Sequence, residues 1–403
     1  MTNTEVETIV NPTFHLKVKK KDDESDLYKE YRSRWENYPK LHKLGKFPIH
    51  VDLESTARCN LECVMCFQSD HTPETGWRNK FGYIYDRKPQ EEREGKATHY
   101  GDMPMSLFKK IIDEGRSDSL IYQVNGTTVD DRLRSIKLQY RGEPLMHKEL
   151  EDMVAYAKQK GVIETMFNTN GNLLDEKRAL RFIEAGLDKI IFSMDGSTPD
   201  VYEEVRKGHK GRIKGLFDVV VRNIATLKYL RDKQGRDKPY IRVQAVYQDL
   251  NKEQIDSDDY IKFWSQYADH VAVEDCNDYH ENGRPAVVAP KFACDQLWQR
   301  LFVNFDGRIT LCCGDVYSKQ VVGNAYKDSL QDIWQSQKLN YFRQLHLKGE
   351  SHNMGPCNSC GYRDTIIKNH HPDDWTKYTN SPEYTNWLET KKKEGVVISP
   401  LNV

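Results

Sequence analysis

From Ile49 to Cys276 the sequence alternates between two hydrophobic periods. Short runs with period two (IHVDLES, IKLQY, ETMFNTNG, DKIIFSMDG, YIRVQAVYQ and HVAVEDC) are interleaved with stretches whose apolar residues fall three and four apart, such as MHKELEDMVAYAKQKG and LDEKRALRFIEAG. Gly161 and Gly186 close those two helical stretches, because glycine takes the left-handed conformation that ends a helix without a steric penalty. A helix between successive strands implies parallel pairing through crossovers. The chain is therefore expected to be α/β, a barrel or an open doubly wound sheet, with ligands gathered at the carboxyl ends of its strands.

The 403 residues, 38% of them hydrophobic, suffice for a full core and more than one domain. Residues 1–48, rich in charge and aromatics with a helical pattern over Leu27 to Trp35, form an expected extension before a barrel region at 49–285. Two segments break the rhythm, 67–102 and 118–134. Connections of this length are expected to be lids or poorly ordered insertions, although Trp77, Phe81, Tyr83 and Tyr85 favour some packing in the first. Sixty Lys and Arg against 61 Asp and Glu give a net charge of -1, so neither nucleic acid nor an anionic membrane is an expected partner. The opening MTNTEVETIVNPTF does not read as a signal peptide, and no stretch approaches the roughly 18 apolar residues that cross a bilayer. The expected compartment is the cytoplasm.

Nine cysteines are too few for a disulfide scaffold of this length, and their clustering favours metal or catalysis. RCNLECVMCF places Cys59, Cys63 and Cys66 directly after the first barrel strand. Three thiolates there can converge on one inorganic centre and leave a coordination position open. A structural zinc site would close with a fourth ligand, for which His71 is available, and a saturated iron-sulfur cluster takes four cysteines. Read alone, the spacing leaves an open iron-sulfur site, a zinc site and three unrelated core cysteines as alternatives.

CNLECVMC resembles the CxxxCxxC signature of the radical S-adenosylmethionine (radical SAM) superfamily, and four later stretches agree with it in order. LQYRGEPLMH looks like the family's GGEP segment with Arg141 in place of its first glycine; FNTNG, FSMDGSTPDVYEEVRKG and IRVQAV resemble three further strand ends. The resemblance spans about residues 49 to 275. It implies a partial (β/α)6 TIM-like barrel whose Cys59, Cys63 and Cys66 hold a 4Fe-4S cluster. The fourth ligand is then S-adenosyl-L-methionine itself, cleaved reductively to a 5'-deoxyadenosyl radical that abstracts hydrogen from a C–H bond. By the same resemblance Glu143, stiffened by Pro144, accepts from the SAM ammonium, and Ser193 and Arg206 bind its carboxylate or ribose. Asn170 and Asp195 belong to the same shell, and Met65 stands where the family usually has an aromatic beside adenine.

A second set of cysteines follows the barrel. Cys294, Gly307 and Cys312 fit the opening of the family's SPASM and shorter twitch domains, and Cys357 and Cys360 add a CxxC. FVNFDGRITLC reads as a hairpin around an Asp-Gly turn that gathers distant thiols. The resemblance implies a small α+β domain over 286–370 in which Cys294, Cys312, Cys357 and Cys360 hold one auxiliary 4Fe-4S cluster, with structural zinc as the other use of four thiolates. The shortage of further cysteines favours the twitch type. Cys313 is an alternative ligand. The tail, 371–403, carries Trp375, Tyr378, Tyr384 and Trp387, which are expected to dock.

The expected activity is hydrogen abstraction from a small polar metabolite such as a sugar or aminocyclitol, giving oxidation or epimerisation, with an external electron donor such as flavodoxin or ferredoxin. Cys276, at the carboxyl end of HVAVEDC, is the candidate hydrogen donor for epimerisation, with an inert buried cysteine as the plain alternative. Asp275, Asp278, Tyr279 and His280 are candidate substrate contacts or bases. Two other functions compete: a maturase of a ribosomally made peptide, for which the extension is short as a leader-binding domain, and a zinc-binding interaction protein.

Overall fold

A computed structural model describes residues 6–8, 14–17, 25–66, 101–208, 211–248, 250–275, 284–290 and 292–393. His71 and the aromatics of the first insertion, and Cys276 with Asp278, Tyr279 and His280, lie outside the described residues. The strands, in chain order, are β1 (Val6–Thr8), β2 (Phe14–Lys17), β3 (His50–Leu53), β4 (Ile121–Val124), β5 (Thr127–Asp130), β6 (Ser135–Lys137), β7 (Glu164–Thr169), β8 (Lys189–Ser193), β9 (Tyr240–Tyr247), β10 (His270–Asp275), β11 (Arg300–Val303), β12 (Arg308–Thr310) and β13 (Val321–Asn324). Eleven form one sheet in the order β1-β2-β10-β9-β8-β7-β6-β3-β11-β12-β13. Its centre, from β3 through β6, β7, β8 and β9 to β10, is parallel throughout, as the strand–helix alternation predicts.

The crossover helices form where the apolar spacing places them. Glu176–Ala185 is capped by Asp175, whose side chain accepts from the Arg178 amide, and ends at left-handed Gly186. It buries Ala179, Phe182 and Ile183; Phe182 meets Phe167 of β7 with ring centroids 5.1 Å apart. Burying each such large side chain is worth roughly 1.5–3 kcal/mol. Among the described residues no helix is long and apolar enough to cross a membrane.

Both edges of the parallel unit are covered. β2 pairs antiparallel with β10, and β11 runs parallel to β3, so no barrel edge is left to template foreign strands. The helix Asp26–Lys40 lies at the amino-terminal mouth: its Tyr31 hydroxyl donates to Glu164 at 3.1 Å and accepts from Ser135 at 3.0 Å, and Ser135 meets His50 Nδ1 at 2.6 Å. His50, Ser135 and Glu164 are the first residues of β3, β6 and β7.

Two expectations change in detail. The 118–134 segment is a hairpin, β4 against β5, and Asn125 and Gly126 both take positive φ at its turn. Asn-Gly is the favoured type I′ pair, so local chemistry orders what length alone suggested was a lid. IKLQY is a strand only to Lys137, because Tyr140 turns away to donate to the carbonyls of Cys312 and Cys313 at 3.3 and 3.4 Å. The tail helix Pro372–Thr379 docks as expected, burying Trp375 and Tyr378 with Tyr384 against Val287, Ala289, Phe292 and Ile367.

The carboxyl-terminal region meets the barrel through a buried ion pair. Arg141 Nε and Nη2 donate to the two oxygens of Glu54 at 2.6 Å each, with both side chains almost fully buried. Arg141 Nη1 reaches the Val316 carbonyl at 3.2 Å, and the Phe305 amide donates to Glu54 at 3.1 Å. Removing one partner strands a buried charge, so Arg141→Ala is expected to lower the unfolding free energy of the whole chain by about 3–5 kcal/mol. The Arg141→Leu/Glu54→Leu double variant is expected to recover part of that loss in the same denaturant titration, since an apolar pair strands no charge and leaves only the Phe305 amide and the Val316 carbonyl without these partners.

Candidate functional site

A cavity of about 520 Å³ opens at the carboxyl ends of the parallel strands, and Cys59, Cys63 and Cys66 all line it. The loop that carries them is held from both sides. Glu62 and Val64 amides donate to the Lys207 and Val205 carbonyls at 2.7 and 3.0 Å, and Arg58 grips Asp102 through Nε–Oδ1 at 2.8 Å and Nη2–Oδ2 at 2.5 Å. Cys63 is buried; Cys59 and Cys66 are half-buried.

The RGEP turn packs directly under this loop. A Cβ on Gly142 would stand 2.3 Å from the Thr56 carbonyl oxygen and 2.6 Å from that of Arg58, so no other residue fits. The Glu143 amide donates to Arg58 at 2.8 Å. Its carboxylate accepts from the Leu145 amide at 3.0 Å and Thr169 Oγ1 at 2.6 Å on one oxygen, and from the Asn170 amide at 2.7 Å on the other. Burial raises its pKa while those three donors lower it. One oxygen keeps acceptor capacity for a further donor.

Met65, Glu143, Asn170, Ser193 and Arg206 share the cavity wall with the cysteines. Asn170 Nδ2 donates to Asn60 at 2.9 Å; left-handed Gly171 follows it, close against Phe192. Asp195 stands differently. It is fully buried behind Arg206, accepts its Nε and Nη2 on one oxygen at 2.7 Å, and accepts the Val246 amide on the other at 2.7 Å. Its geometry is that of a group that fixes Arg206, whose Nη1 lies 3.6 Å from Cys63 Sγ.

Burial pushes the Cys63 thiol up to about 12, partly offset by Arg206, and raises Cys59 further with help from Glu143 and Cys63. Thiols in this setting ionise when an electropositive centre binds them, releasing protons. Among the described residues no three His, Cys, Asp or Glu side chains close around a single ion. A cube of iron and sulfide takes one thiolate at each of several irons, so its ligands stand farther apart than those of one zinc. Three thiols on one cavity wall beside a partly satisfied carboxylate and a held guanidinium fit such a cluster with an amino acid bound to it.

The second set gathers behind the β11–β12 hairpin, whose Phe302 faces Thr310 and Val303 faces Ile309. The Cys312 thiol is raised by burial and by Cys313, Cys357, Cys360 and Cys294 around it. Gly314 brings two of these sulfurs close, since a Cβ there would lie 3.4 Å from Cys360 Sγ and 3.7 Å from Cys312 Sγ. The paired cysteines divide: Cys313 instead lines the barrel cavity, with Gln296 Nε2 3.1 Å from its sulfur. Four thiolates from Cys294, Cys312, Cys357 and Cys360 fit a fully ligated cluster.

Sequence reasoning missed several groups. His346 Nδ1 accepts from the Cys294 amide at 3.2 Å, which leaves its Nε2–H facing Cys357 Sγ at 3.5 Å; burial, with Arg363 nearby, holds its pKa down to about 4. A histidine eleven residues before a CxxC gives no motif to find it by. Lys137, Arg300 and Tyr362 also line the cavity; a lysine at an inward position of a barrel strand was the available signal.

The family profile of the Radical SAM superfamily matches residues 53–230, and that of SPASM, an iron-sulfur cluster-binding domain, matches 294–361. The chain is 25% identical to the tungsten-containing aldehyde ferredoxin oxidoreductase cofactor-modifying protein of Pyrococcus furiosus, over 87% of this chain and 97% of that one. It is 21% identical to the S-adenosyl-L-methionine-dependent 2-deoxy-scyllo-inosamine dehydrogenase of Niallia circulans, over 77% and 91%. Native anSMEcpe with bound AdoMet shares the fold at a TM-score of 0.52 and 15% identity, over 86% of this chain and 100% of that one; it is also solved with a bound Cp18Cys peptide. Radical SAM domains hold a 4Fe-4S cluster and S-adenosyl-L-methionine, and SPASM domains hold auxiliary iron-sulfur clusters. The chain belongs to the radical SAM superfamily and carries a SPASM iron-sulfur domain after its barrel.

Proposed function

We propose that the cavity abstracts hydrogen from a C–H bond of a small polar metabolite and oxidises it, with S-adenosylmethionine as the net oxidant and an external carrier such as flavodoxin or ferredoxin supplying the electron that starts its cleavage. The observation that carries this reading is that one wall of the cavity holds the three cysteines with Glu143, Asn170, Ser193 and Arg206, while Lys137, Gln139, Glu274 and Arg300 set polar and charged groups among the apolar side chains of Val246, Phe302 and Val316 on the rest. When bound there, the cluster and S-adenosylmethionine supply a 5'-deoxyadenosyl radical. Cys59, Cys63 and Cys66 would hold the cluster. Glu143 Oε2 accepts from the ammonium, Arg206 binds the carboxylate or ribose while Asp195 fixes its plane, and Met65 packs beside the adenine. The surrounding barrel keeps out water and other quenchers.

Similarity to a cofactor-modifying protein and to an aminocyclitol dehydrogenase supports a small-molecule substrate. The peptide-bound form of anSMEcpe favours the second reading, a peptide maturase. The two separate on whether small metabolites alone stimulate SAM turnover. Two thiols are candidates to return hydrogen if the outcome is epimerisation: Cys276, as its strand-end position suggests, and Cys313, which lines the cavity.

Anaerobic reduction with dithionite is expected to release 5'-deoxyadenosine from SAM in the parent and not in Cys59→Ala. Glu143→Gln is expected to weaken SAM binding about 10- to 100-fold, the range for losing a charged acceptor; unchanged turnover would remove Glu143 from the site. Asp195→Asn is expected to raise KM for SAM with cluster content intact, because the guanidinium loses the anion that orients it. Once a substrate is in hand, unchanged epimer formation by both Cys276→Ala and Cys313→Ala would end the donor role for either.

A further inference from the structure

Away from the cysteine loop, the cavity wall carries a lysine that no carboxylate contacts directly among the described residues. Lys137 ends β6 and lies between β3 and β7, register partner of Asp52 on one side and Met166 on the other. Its ammonium makes no hydrogen bond or ion pair of standard length with any described residue. Burial lowers its pKa, with Asp52 opposing and Arg300 adding to the effect.

Arg300, the first residue of β11, lines the same wall. Its guanidinium lies over the Trp35 ring, 4.7 Å from the centroid. Stacking occupies the face of the group and leaves its N–H edge for ligands. Nη1 reaches Asp52 at only 3.5 Å, Nε is buried without a partner, and Nη2 has none among the described residues. Asp52 is shared, since His50 Nε2 also lies 3.4 Å from it. On β9 and β10, Arg242 and Glu274 pair with each other. Two cations, Lys137 and Arg300, thus share Asp52, with Asp295 also acting on Arg300, and among the described residues no carboxylate lies within hydrogen-bonding distance of the Lys137 ammonium.

We propose that Lys137 and Arg300 form an oxyanion-binding subsite that holds a carboxylate or phosphate ester of the substrate, with the reactive carbon directed toward Cys59, Cys63 and Cys66. The subsite rests on the reading of this cavity as a radical SAM active site, and it narrows the substrate to an anionic metabolite and away from aminocyclitols. Strand direction sets the arrangement. Lys137 and Asp52 lie in the strands, whereas Glu143 and the three cysteines lie in the loops that follow them. An anchored anion therefore lies deeper in the barrel than the SAM site.

The test uses the anaerobic holoenzyme loaded with SAM and three small probes, acetate, methyl phosphate and acetamide, in ligand-observed NMR titrations. Acetate is expected to bind and acetamide not. Lys137→Met and Arg300→Gln are each expected to weaken acetate about tenfold or more, and Lys137→Arg to retain it, as for a charge-assisted hydrogen bond. Methyl phosphate binding more tightly than acetate assigns the site to phosphate esters, and the reverse order to carboxylates. Acetamide binding as well as acetate, or acetate affinity unchanged in both Lys137→Met and Arg300→Gln, overturns the subsite. A melting curve of each variant shows that it is folded, and Arg300→Gln carries the comparison if Lys137→Met is not. Release of 5'-deoxyadenosine by the parent enzyme is read separately: its loss with Lys137-dependent acetate binding intact refutes the radical reading and leaves the subsite standing.

Discussion

The contact on which the site depends is the one at Gly142. Its backbone lies so close to the Thr56 and Arg58 carbonyls that a single added carbon would clash at 2.3 Å. That approach locks the cysteine loop after β3 to the turn after β6, two segments more than 80 residues apart in sequence. Glu143 is thereby delivered to the cavity already holding three donors, and the cysteines are delivered facing it. Neither loop has the hydrophobic content to set this geometry alone. The parallel sheet beneath them does so by fixing the register of β3 against β6.

The same turn ties the two cysteine sets together. Tyr140 donates to the carbonyls of Cys312 and Cys313, and Arg141 bridges Glu54 to the Val316 carbonyl. The departure from the family's first glycine thus has a structural use: a long guanidinium spans the gap between the barrel and the hairpin region, and Glu54 neutralises it in a place where an unpaired charge would be prohibitive. The polar interior is built on similar terms. Arg206 is held by Asp195 and Arg242 by Glu274, so Lys137 stands out by having no such partner among the described residues.

Much of this was legible in the sequence because it is written in local patterns. The parallel sheet follows from alternating periods, the helix ends from Gly161 and Gly186, and the β11–β12 hairpin from Asp306-Gly307, while the choice of a partial barrel and of a cluster over zinc at the cysteine loop came from the family resemblance of five ordered stretches. What was not legible depends on contacts between distant segments. The role of Arg141 needs Glu54, the separation of Asp195 from the cavity needs Arg206 in front of it, and the place of His346 needs the Cys294 amide. The hairpin over Ile121–Asp130 was readable from Asn125-Gly126, a turn signal that segment length obscured. The division of Cys312 from Cys313 arises in the turn after β12, which adjacent identical residues cannot reveal.

The account stands on two cysteine sets holding two separate clusters. Iron and acid-labile sulfide per chain, measured after anaerobic preparation of the parent and of a variant lacking Cys59, Cys63 and Cys66, tests this most directly. The account predicts about eight irons in the parent and about four in the variant, the latter held by Cys294, Cys312, Cys357 and Cys360. About four in the parent falling to none in the variant would contradict it, leaving the SPASM cysteines without a four-iron cluster.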